Sequence, residues 1–400
     1  MKKILILFVS LCFCVTLFAQ KKIKVACVGN SITYGYTLPD RETNAYPAKL
    51  QKMLGDDYVV GNFGKSGATL LNKGHRPYMQ QEEYHKAIDF AGDIVVIHLG
   101  INDTDPRDWP NYRDFFIQDY RALIDSFRVA NSRCHILIAR LTPIADRHPR
   151  FESGTRDWHD EIQLAIENIA KYAGVQLIDF HAPLYPYPFM LPDAVHPNVE
   201  GAEILAKTVY EGITGDFGGL RMSPLYTDNM VLQHGKPLTI QGTANAGDRI
   251  TVSIAHQKQK VVTGMDGKWS VTLSPLKAGG PYTLVVSSGK QKLTYGNVLA
   301  GEVWLCSGQS NMEFYLNWSA TAKRDVAKAA NDNIRLFDMK ARWRTDAVEW
   351  NASVLDSLNH LHIIRIRSGR FALRKQPVIF LLWLIISVRC CRTVCKCLSD

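Results

Sequence analysis

Four short segments of this 400-residue sequence contain the residue types of a serine-based catalytic site. Ser31 is a candidate nucleophile. Asp193 stands three residues before His196, so its carboxylate can bond the imidazole ring and set the tautomer that removes a serine proton. Gly67 can present its backbone N–H closely to a ligand, and Asn102 carries an amide donor. The segments are Gly29-Asn30-Ser31-Ile32-Thr33, Gly64-Lys65-Ser66-Gly67, Gly100-Ile101-Asn102-Asp103 and Asp193-Ala194-Val195-His196-Pro197.

The elements that must position these residues alternate between strands and helices over residues 21–215. Strand candidates lie at residues 24–28, 58–60, 93–99, 135–141 and 175–178, and helical patterns include residues 46–54, 112–130 and 158–172. This alternation predicts an α/β domain whose parallel sheet is covered by helices on both faces. Ligands of such sheets bind at the carboxyl ends of the strands. Because each of the four segments follows a strand, they are expected to meet at that edge.

Ser31 also has a simpler explanation, and other histidines compete with His196. Taken alone, Ser31 is well explained as the N-terminal cap of a helix. His148 is a second candidate base because Asp146 precedes it by two residues, although it follows the fourth strand rather than the last. His98 lies inside the third strand and is expected to pack in the core. Cys27 is expected to be an inert buried thiol.

Taken together, the four segments resemble the SGNH (GDSL-type) hydrolase family over residues 23–210. The shared blocks are a serine in a G-[DN]-S turn, a glycine, an asparagine in G-x-N-D, and D-x-x-H. The resemblance implies a flavodoxin-like fold in which Ser31 is the nucleophile, His196 the general base and Asp193 the residue that orients it. It also implies an oxyanion hole made by the Ser31 and Gly67 N–H groups and the Asn102 side chain, with no cofactor.

Residues 218–300 have a different pattern, in which short alternating stretches are separated by turns rich in Gly, Asn and Asp. Asp266-Gly267 and Gly279-Gly280 are hairpin signals, so this region predicts a small antiparallel β-sandwich domain. It resembles the β domain of sialate O-acetylesterases in three segments, which are Met222-Ser223-Pro224-Leu225, Asp228-Asn229-Met230-Val231-Leu232-Gln233 and Asp266-Gly267-Lys268-Trp269.

A second candidate serine follows the β region. Residues 301–312 are similar to the nucleophile segment of sialate O-acetylesterases, with Ser310 in the sequence G-Q-S-N-M. Residues 301–361 are therefore interpreted as the start of a second, incomplete α/β module. Its partner histidine and acid would lie beyond residue 361, so Ser310 is expected to be inactive here.

The positive net charge does not indicate a nucleic-acid partner. The chain carries a formal charge of +9, but Lys2, Lys3 and the basic residues of 362–400 account for all of it. The net charge of residues 4–361 is zero, so an extended basic surface is not expected. Only Cys27, Cys134 and Cys306 lie between the two ends, too few and too scattered for a disulfide framework. The Cys390-Cys391-x3-Cys395-x-Cys397 run lacks the usual spacing of a zinc site.

The two ends differ from the body of the chain. Residues 1–20 begin with Lys2-Lys3 and continue with an apolar run, which predicts a secretory signal peptide, with a retained membrane anchor as the alternative. Composition changes abruptly after residue 361. Because residues 376–400 decode in a shifted reading frame into a sequence resembling the sialate esterase continuation, residues 362–400 are interpreted as out-of-frame, with a frameshift near residues 360–362. A genuine basic tail and a membrane-associating segment are the alternatives.

These expectations combine into one functional hypothesis. The signal peptide predicts a secreted or periplasmic protein. The resemblance implies a serine carbohydrate O-acetylesterase that acts on O-acetylated sialic acid through an acyl-enzyme on Ser31. The alternatives are an esterase for acetylated xylan or another glycan, and a catalytically inactive carbohydrate-binding surface protein. No nucleic-acid partner is expected, nor stable membrane insertion after removal of the signal peptide.

Overall fold

The computed structural model describes residues 21–145, 147–149, 155–305, 314–327, 331, 333–337, 339–341, 364–366 and 370–371. The chain divides into two compact units, one of residues 1–184 and 190–207 and the other of residues 185–189 and 208–400. The predicted signal peptide, Ser310 and most of residues 362–400 lie outside the described residues. The domain boundaries proposed from the sequence therefore stay predictions at both ends.

The first unit is built on a five-stranded sheet in which all neighbouring strands are parallel. The strands are β1 (Ile23–Gly29), β2 (Tyr58–Gly64), β3 (Ile94–His98), β4 (His135–Arg140) and β5 (Gln176–Asp179), in the order β2-β1-β3-β4-β5. The middle strands β1, β3 and β4 are buried on both faces over most of their length, and Val25, Val28, Val96 and Ile97 have no exposed surface. The predicted α/β fold is confirmed, with the flavodoxin-like strand order.

Helices connect these strands. They are α1 (Ser31–Tyr34), α2 (Arg41–Asn44), α3 (Tyr46–Leu54), α4 (Glu82–Phe90), α5 (Trp109–Tyr112), α6 (Phe116–Ala130), α7 (Thr155–Ala173) and α8 (Val199–Thr214). The helix predicted at residues 112–130 is divided, because a short 3₁₀ turn at Arg113–Phe115 separates α5 from α6. The buried apolar face of α6 begins only at Phe116. Within the described residues, none of the helices is both long and apolar enough to cross a lipid bilayer.

The second unit is rich in β structure. Its strands are β6 (Arg221–Met222), β7 (Val231–Gln233), β8 (Leu238–Thr243), β9 (Arg249–Ile254), β10 (Gln257–Val262), β11 (Lys268–Leu273), β12 (Gly279–Ser288) and β13 (Gln291–Gly301). They form one sheet of order β10-β9-β12-β13-β7 and another of order β11-β8-β6. Alternate residues of both sheets share one apolar core, which includes Ile240, Val252, Trp269 and Leu284. Short elements follow at α9 (Ala322–Ala327), β14 (Arg335–Leu336), β15 (Met339–Ala341), β16 (Ile364–Ile366) and β17 (Arg370–Phe371).

The β region departs from the predicted pattern in two ways. It is mixed rather than purely antiparallel, because β7 pairs with β13 in parallel. The two hairpin signals were also wrong: Asp266-Gly267 connects strands of different sheets, and Gly279-Gly280 begins β12. The β9–β10 hairpin instead turns at Ala255 and His256, which both adopt positive φ angles of 47° and 67°. Two positive φ angles are typical of a two-residue type I′ turn, but these residue types give no sequence signal for it.

Candidate active site

Ser31 lies at the carboxyl end of β1, as the first residue of the short helix α1. The turn is held by Asn30, whose Oδ1 accepts a hydrogen bond from the Ile32 N–H at 2.9 Å. The Asn30 amide also donates to the His98 carbonyl at the end of β3, at 3.2 Å. An ionised aspartate in the place of Asn30 would have no N–H donor. Asn30 therefore ties the Ser31 turn to the neighbouring strand through a hydrogen bond that an aspartate could not make.

Helix α1 packs directly on the end of β2. A Cβ atom on Gly64 would lie 2.1 Å from the Tyr34 N atom and 2.6 Å from the Thr33 carbonyl carbon. No side chain fits at this approach, because both neighbouring atoms belong to the backbone. Gly64 therefore fixes the depth at which α1, and with it Ser31, sits on the sheet.

The structure brings the sequence-predicted serine, histidine and aspartate into one hydrogen-bonded row. The His196 Nε2 atom lies 2.8 Å from the Ser31 Oγ atom, although the two residues are 165 positions apart. The His196 Nδ1 atom lies 2.6 Å from the Asp193 Oδ2 atom. This arrangement allows Nδ1 to donate to the carboxylate, leaving Nε2 as the acceptor of the serine proton.

Asp193 holds the histidine through its backbone as well as its ring. Its Oδ1 atom accepts hydrogen bonds from the N–H groups of His196 at 2.7 Å and Val195 at 3.1 Å. Partial burial raises the pKa of Asp193, but the hydrogen bonds from His196 and Val195 outweigh it, so that the pKa lies below its ordinary value. The carboxylate therefore stays ionised at a lower pH than that of an ordinary aspartate.

The two other predicted residues line the same cleft. Ser31, Gly67, Asn102 and His196 all border a cavity of about 370 Å³. The cleft lies at the carboxyl ends of β1 and β3, where the strand order reverses and ligands of such sheets bind. Gly67 has a φ of +76°. The Asn102 amide donates to the Ala68 carbonyl at 2.9 Å, which orients the side chain and leaves its second amide hydrogen for another acceptor.

Asp103 fixes the loop that carries Gly67, a role that the sequence did not reveal. This wholly buried carboxylate accepts hydrogen bonds from the N–H groups of Leu70 at 2.9 Å and Leu71 at 2.8 Å. Burial raises its pKa to about 7, against the opposing effect of these hydrogen bonds. Because Asn102 binds the same loop through Ala68, adjacent residues set the relative positions of both predicted oxyanion donors.

Two further side chains line the cleft and were not singled out by sequence reasoning. The Tyr36 ring, half exposed, packs edge-on against the His196 ring with centroids 5.0 Å apart. The Arg76 guanidinium lies at the wall beside Gly67 and donates to the Ser66 carbonyl at 2.9 Å. Neither residue belongs to a recognisable spacing with Ser31 or His196, so only the folded loops disclose them.

The competing candidates have other surroundings. His148 borders the cleft, but the ring that contacts the Ser31 hydroxyl is that of His196. Asp146, paired with His148 in the sequence hypothesis, lies outside the described residues. His98 is wholly buried, as predicted, and burial lowers its pKa to about 3. Burial raises the pKa of Cys27 to about 12, which keeps it an inert thiol.

Comparison with known proteins finds esterases among the proteins that are similar to this chain. Residues 27–204 match the GDSL-like Lipase/Acylhydrolase family. An acetylxylan esterase of Xylanibacter ruminicola is 37% identical over 210 residues, which cover 48% of this chain and 44% of that protein. A sialate O-acetylesterase of Rattus norvegicus is 31% identical over 127 residues, covering 28% of this chain and 23% of that protein.

Solved structures with detectable similarity include a carbohydrate acetylesterase from Xanthomonas citri. It is 29% identical, with a TM-score of 0.33, and the match covers 40% of this chain and 34% of that one. The chain thus spans less than half the length of the curated relatives that it matches.

Proposed function

We propose that this chain is a serine carbohydrate O-acetylesterase, because residues 27–204 match the GDSL-like Lipase/Acylhydrolase family. The observation that carries the proposal is the row Ser31–His196–Asp193, with heavy-atom distances of 2.8 Å and 2.6 Å. Such a row activates a hydroxyl that is otherwise a weak nucleophile. A catalytically inactive binding protein has no need of this geometry, so the row argues against that alternative.

The reaction proceeds in two acyl transfers. His196 Nε2 takes the Ser31 proton while Oγ attacks the acetyl carbonyl, and the resulting oxyanion accepts hydrogen bonds from the Ser31 and Gly67 N–H groups and Asn102. Collapse breaks the ester bond, and the proton on His196 passes to the departing sugar oxygen. A water molecule, deprotonated by His196, then attacks the acetyl-serine; the bond between the acetyl carbon and Ser31 Oγ breaks, acetate leaves, and the proton on His196 returns to Ser31. Asp193 stabilises the imidazolium formed in each step.

The predicted donors have the spare capacity for this role. Within the part of the chain that the structure describes, the Gly67 N–H makes no hydrogen bond, and the Ser31 N–H begins a helix and has no intrahelical acceptor. Asn102 keeps one amide hydrogen beyond its bond to Ala68. All three residues face one cleft together with the nucleophile.

The substrate class is proposed from the relatives. Similarity to an acetylxylan esterase is higher in identity and longer in extent than similarity to the sialate O-acetylesterase. Acetylated xylan or a related glycan is therefore the favoured substrate, and O-acetylated sialic acid, the first hypothesis from the sequence, becomes the second candidate. Acetate release from a panel of acetylated xylans and mono-O-acetylated sialic acids, measured with the full chain, distinguishes them.

The esterase activity itself, independent of the sugar, has a separate test. The full chain is expected to hydrolyse p-nitrophenyl acetate, and Ser31→Ala is expected to abolish that turnover. Absence of turnover in a folded protein would favour the inactive binding protein instead.

We also propose that the enzyme works outside the cytoplasm. The support is the sequence of residues 1–20, with Lys2-Lys3 ahead of an apolar run. Cell fractionation with N-terminal sequencing of the exported protein tests this proposal, and a cytoplasmic protein retaining Met1 would contradict it.

A further inference from the structure

We propose that Arg76 forms a carboxylate-binding site beside the nucleophile, so that the domain prefers acetylated sugars that carry an acid group. This inference rests on the proposed esterase function and specifies its substrate. It applies equally to a hexuronic acid within a glycan and to a sialic acid, since each carries a carboxylate and its acetyl esters on one sugar unit. A xylose unit carries no carboxylate, so the inference favours acidic glycans over unsubstituted xylan.

The Arg76 guanidinium lies at the predicted oxyanion loop. A Cβ atom built on Gly67 would be 3.4 Å from the Arg76 NH1 atom, and NH1 donates to the carbonyl of Ser66, the preceding residue. Arg76 also borders the cleft that contains Ser31 and His196. A sugar acetylated at the position attacked by Ser31 therefore lies within reach of a fixed positive charge.

Among the residues that the structure describes, no carboxylate pairs with this charge. Within the described residues, Arg76 forms no ion pair, and the residues lining the cleft include no aspartate or glutamate. Two other polar groups of the wall are used internally, because the Thr104 hydroxyl donates to the Ile101 carbonyl and the Thr155 hydroxyl to the Thr104 carbonyl, whereas the Ser66 hydroxyl has no hydrogen-bond partner within the described residues. The Nε and NH2 donors of Arg76 remain for a ligand, and a guanidinium fork matches a carboxylate in two parallel hydrogen bonds.

The backbone under Arg76 is preorganised. Asp108, itself buried, accepts hydrogen bonds from the backbone N–H of His75 at 2.8 Å and contacts His75 Nδ1 at 2.6 Å. The Arg76 carbonyl accepts from the Thr69 N–H at 2.9 Å. With the main chain and NH1 both held, binding a carboxylate orders little additional structure, which favours affinity.

The size of the cleft suits one sugar unit and its substituents. Its volume of about 370 Å³ lies near the lower end of small-molecule sites, which span about 300–1,000 Å³. The acetyl group and the carboxylate are thus expected to be read on the same sugar or on its immediate neighbour.

The test compares each acid with its neutral amide. Kinetics are measured with the full chain on mono-O-acetyl glucuronic acid and glucuronamide, and on mono-O-acetyl N-acetylneuraminic acid and its carboxamide. The acid is expected to be favoured in kcat/KM by at least about 10-fold, the effect of one charge-assisted hydrogen bond, and the difference is expected in KM. Whichever sugar pair shows the larger ratio identifies the source of the carboxylate.

Variants separate charge from loop structure. Arg76→Gln is expected to reduce the acid-to-amide ratio to about one, and Arg76→Lys to restore part of it, because lysine keeps the charge without the fork. The matched control is Arg133→Gln, an exposed arginine in the turn before β4, which is expected to leave the ratio unchanged. Rising salt is expected to lower the ratio in the unmodified protein.

Two results overturn the proposal. One is an acid-to-amide ratio near one in the unmodified protein, and the other is an unchanged ratio in Arg76→Gln. Equilibrium binding of the same uncleaved sugars to Ser31→Ala gives a readout without turnover. If the chain hydrolyses no acetyl ester, the proposed function fails, while preferential binding of the acid by Ser31→Ala would still support the Arg76 site.

Discussion

Asp193 contacts His196 through both of its carboxylate oxygens, each with a different task. Oδ2 lies 2.6 Å from the ring atom Nδ1, while Oδ1 accepts a hydrogen bond from the His196 backbone N–H at 2.7 Å. The spacing of three residues thus closes a small ring that fixes both the main chain and the imidazole. The opposite ring atom, Nε2, is thereby aimed at Ser31.

Asp193→Asn is expected to separate these two tasks. An asparagine oxygen can still accept from the backbone N–H groups, but its NH2 group cannot accept from Nδ1–H, so the wrong tautomer is favoured. The expected loss in kcat is about 10⁴-fold with the fold intact. Circular dichroism and the thermal midpoint serve as the control for folding, and a loss of only a few-fold would show that Asp193 does not set the tautomer.

The pH dependence of the rate should follow from the same pair. A protonated His196 cannot accept the Ser31 proton, so kcat/KM is expected to fall on the acid side of the profile. The pKa of Asp193 lies below its ordinary value, so its carboxylate stays ionised at a lower pH than that of an ordinary aspartate. Asp103, whose pKa burial raises to about 7, titrates near neutral pH and holds the Gly67 loop, so the same profile measured in Asp103→Asn separates its contribution. An acid limb that persists unchanged in His196→Ala would point to another base, with His148 the next residue to substitute.

Ser31→Ala removes the proposed nucleophile and is expected to lower kcat by at least about 10⁴-fold. Ser132→Ala is a matched control, because Ser132 is exposed in the turn before β4. Labelling by a fluorophosphonate should be lost in the first variant and kept in the second. Near-normal turnover by Ser31→Ala would contradict the assignment.

Asn102→Ala is expected to raise the barrier by about 2.7–4 kcal/mol, the usual cost of losing one oxyanion donor. Asp103→Asn should act more indirectly, because it weakens the bonds to Leu70 and Leu71 that hold the Gly67 loop. Its effect is expected in kcat rather than KM. A rise in KM alone for either variant would assign these residues to substrate binding instead.

Two buried groups, His98 and Asp103, should make the free energy of unfolding depend on pH, with effects of opposite sign. His98 is neutral in the folded protein down to about pH 3 but takes up a proton near pH 6.5 when unfolded. The unfolded state binds more protons in that window, so the free energy of unfolding falls as the pH falls, by up to about 1.4 kcal/mol per pH unit. Asp103, whose pKa is raised to about 7, binds its proton first in the folded state and opposes this between pH 7 and 3.8.

Substitution isolates each contribution. Urea unfolding is measured between pH 4 and 7. The fall in the free energy of unfolding on acidification is expected to be smaller for His98→Gln than for the unmodified protein, and larger for Asp103→Asn. Parallel profiles for all three proteins would mean that neither group titrates differently on folding.

Much of the first unit was predictable because its signals are local. Short, largely apolar stretches indicated the five strands, and the predicted helix at residues 46–54 coincides with α3 (Tyr46–Leu54). The β region was less predictable. Its turns at Asp266-Gly267 and Gly279-Gly280 have hairpin residues but do not close hairpins, because which strands pair depends on contacts distant in sequence.

The residue types of the candidate site and their order along the chain can be read from the sequence. Ser31, Gly67, Asn102, Asp193 and His196 each follow a strand, and the parallel sheet brings strand ends to one edge. The contacts between side chains of separate loops are visible only in the folded chain. These include the 2.8 Å approach of His196 to Ser31, the hold of Asp103 on the Gly67 loop, and the position of Arg76 in the cleft. Such contacts depend on how loops pack, which no spacing within one segment encodes.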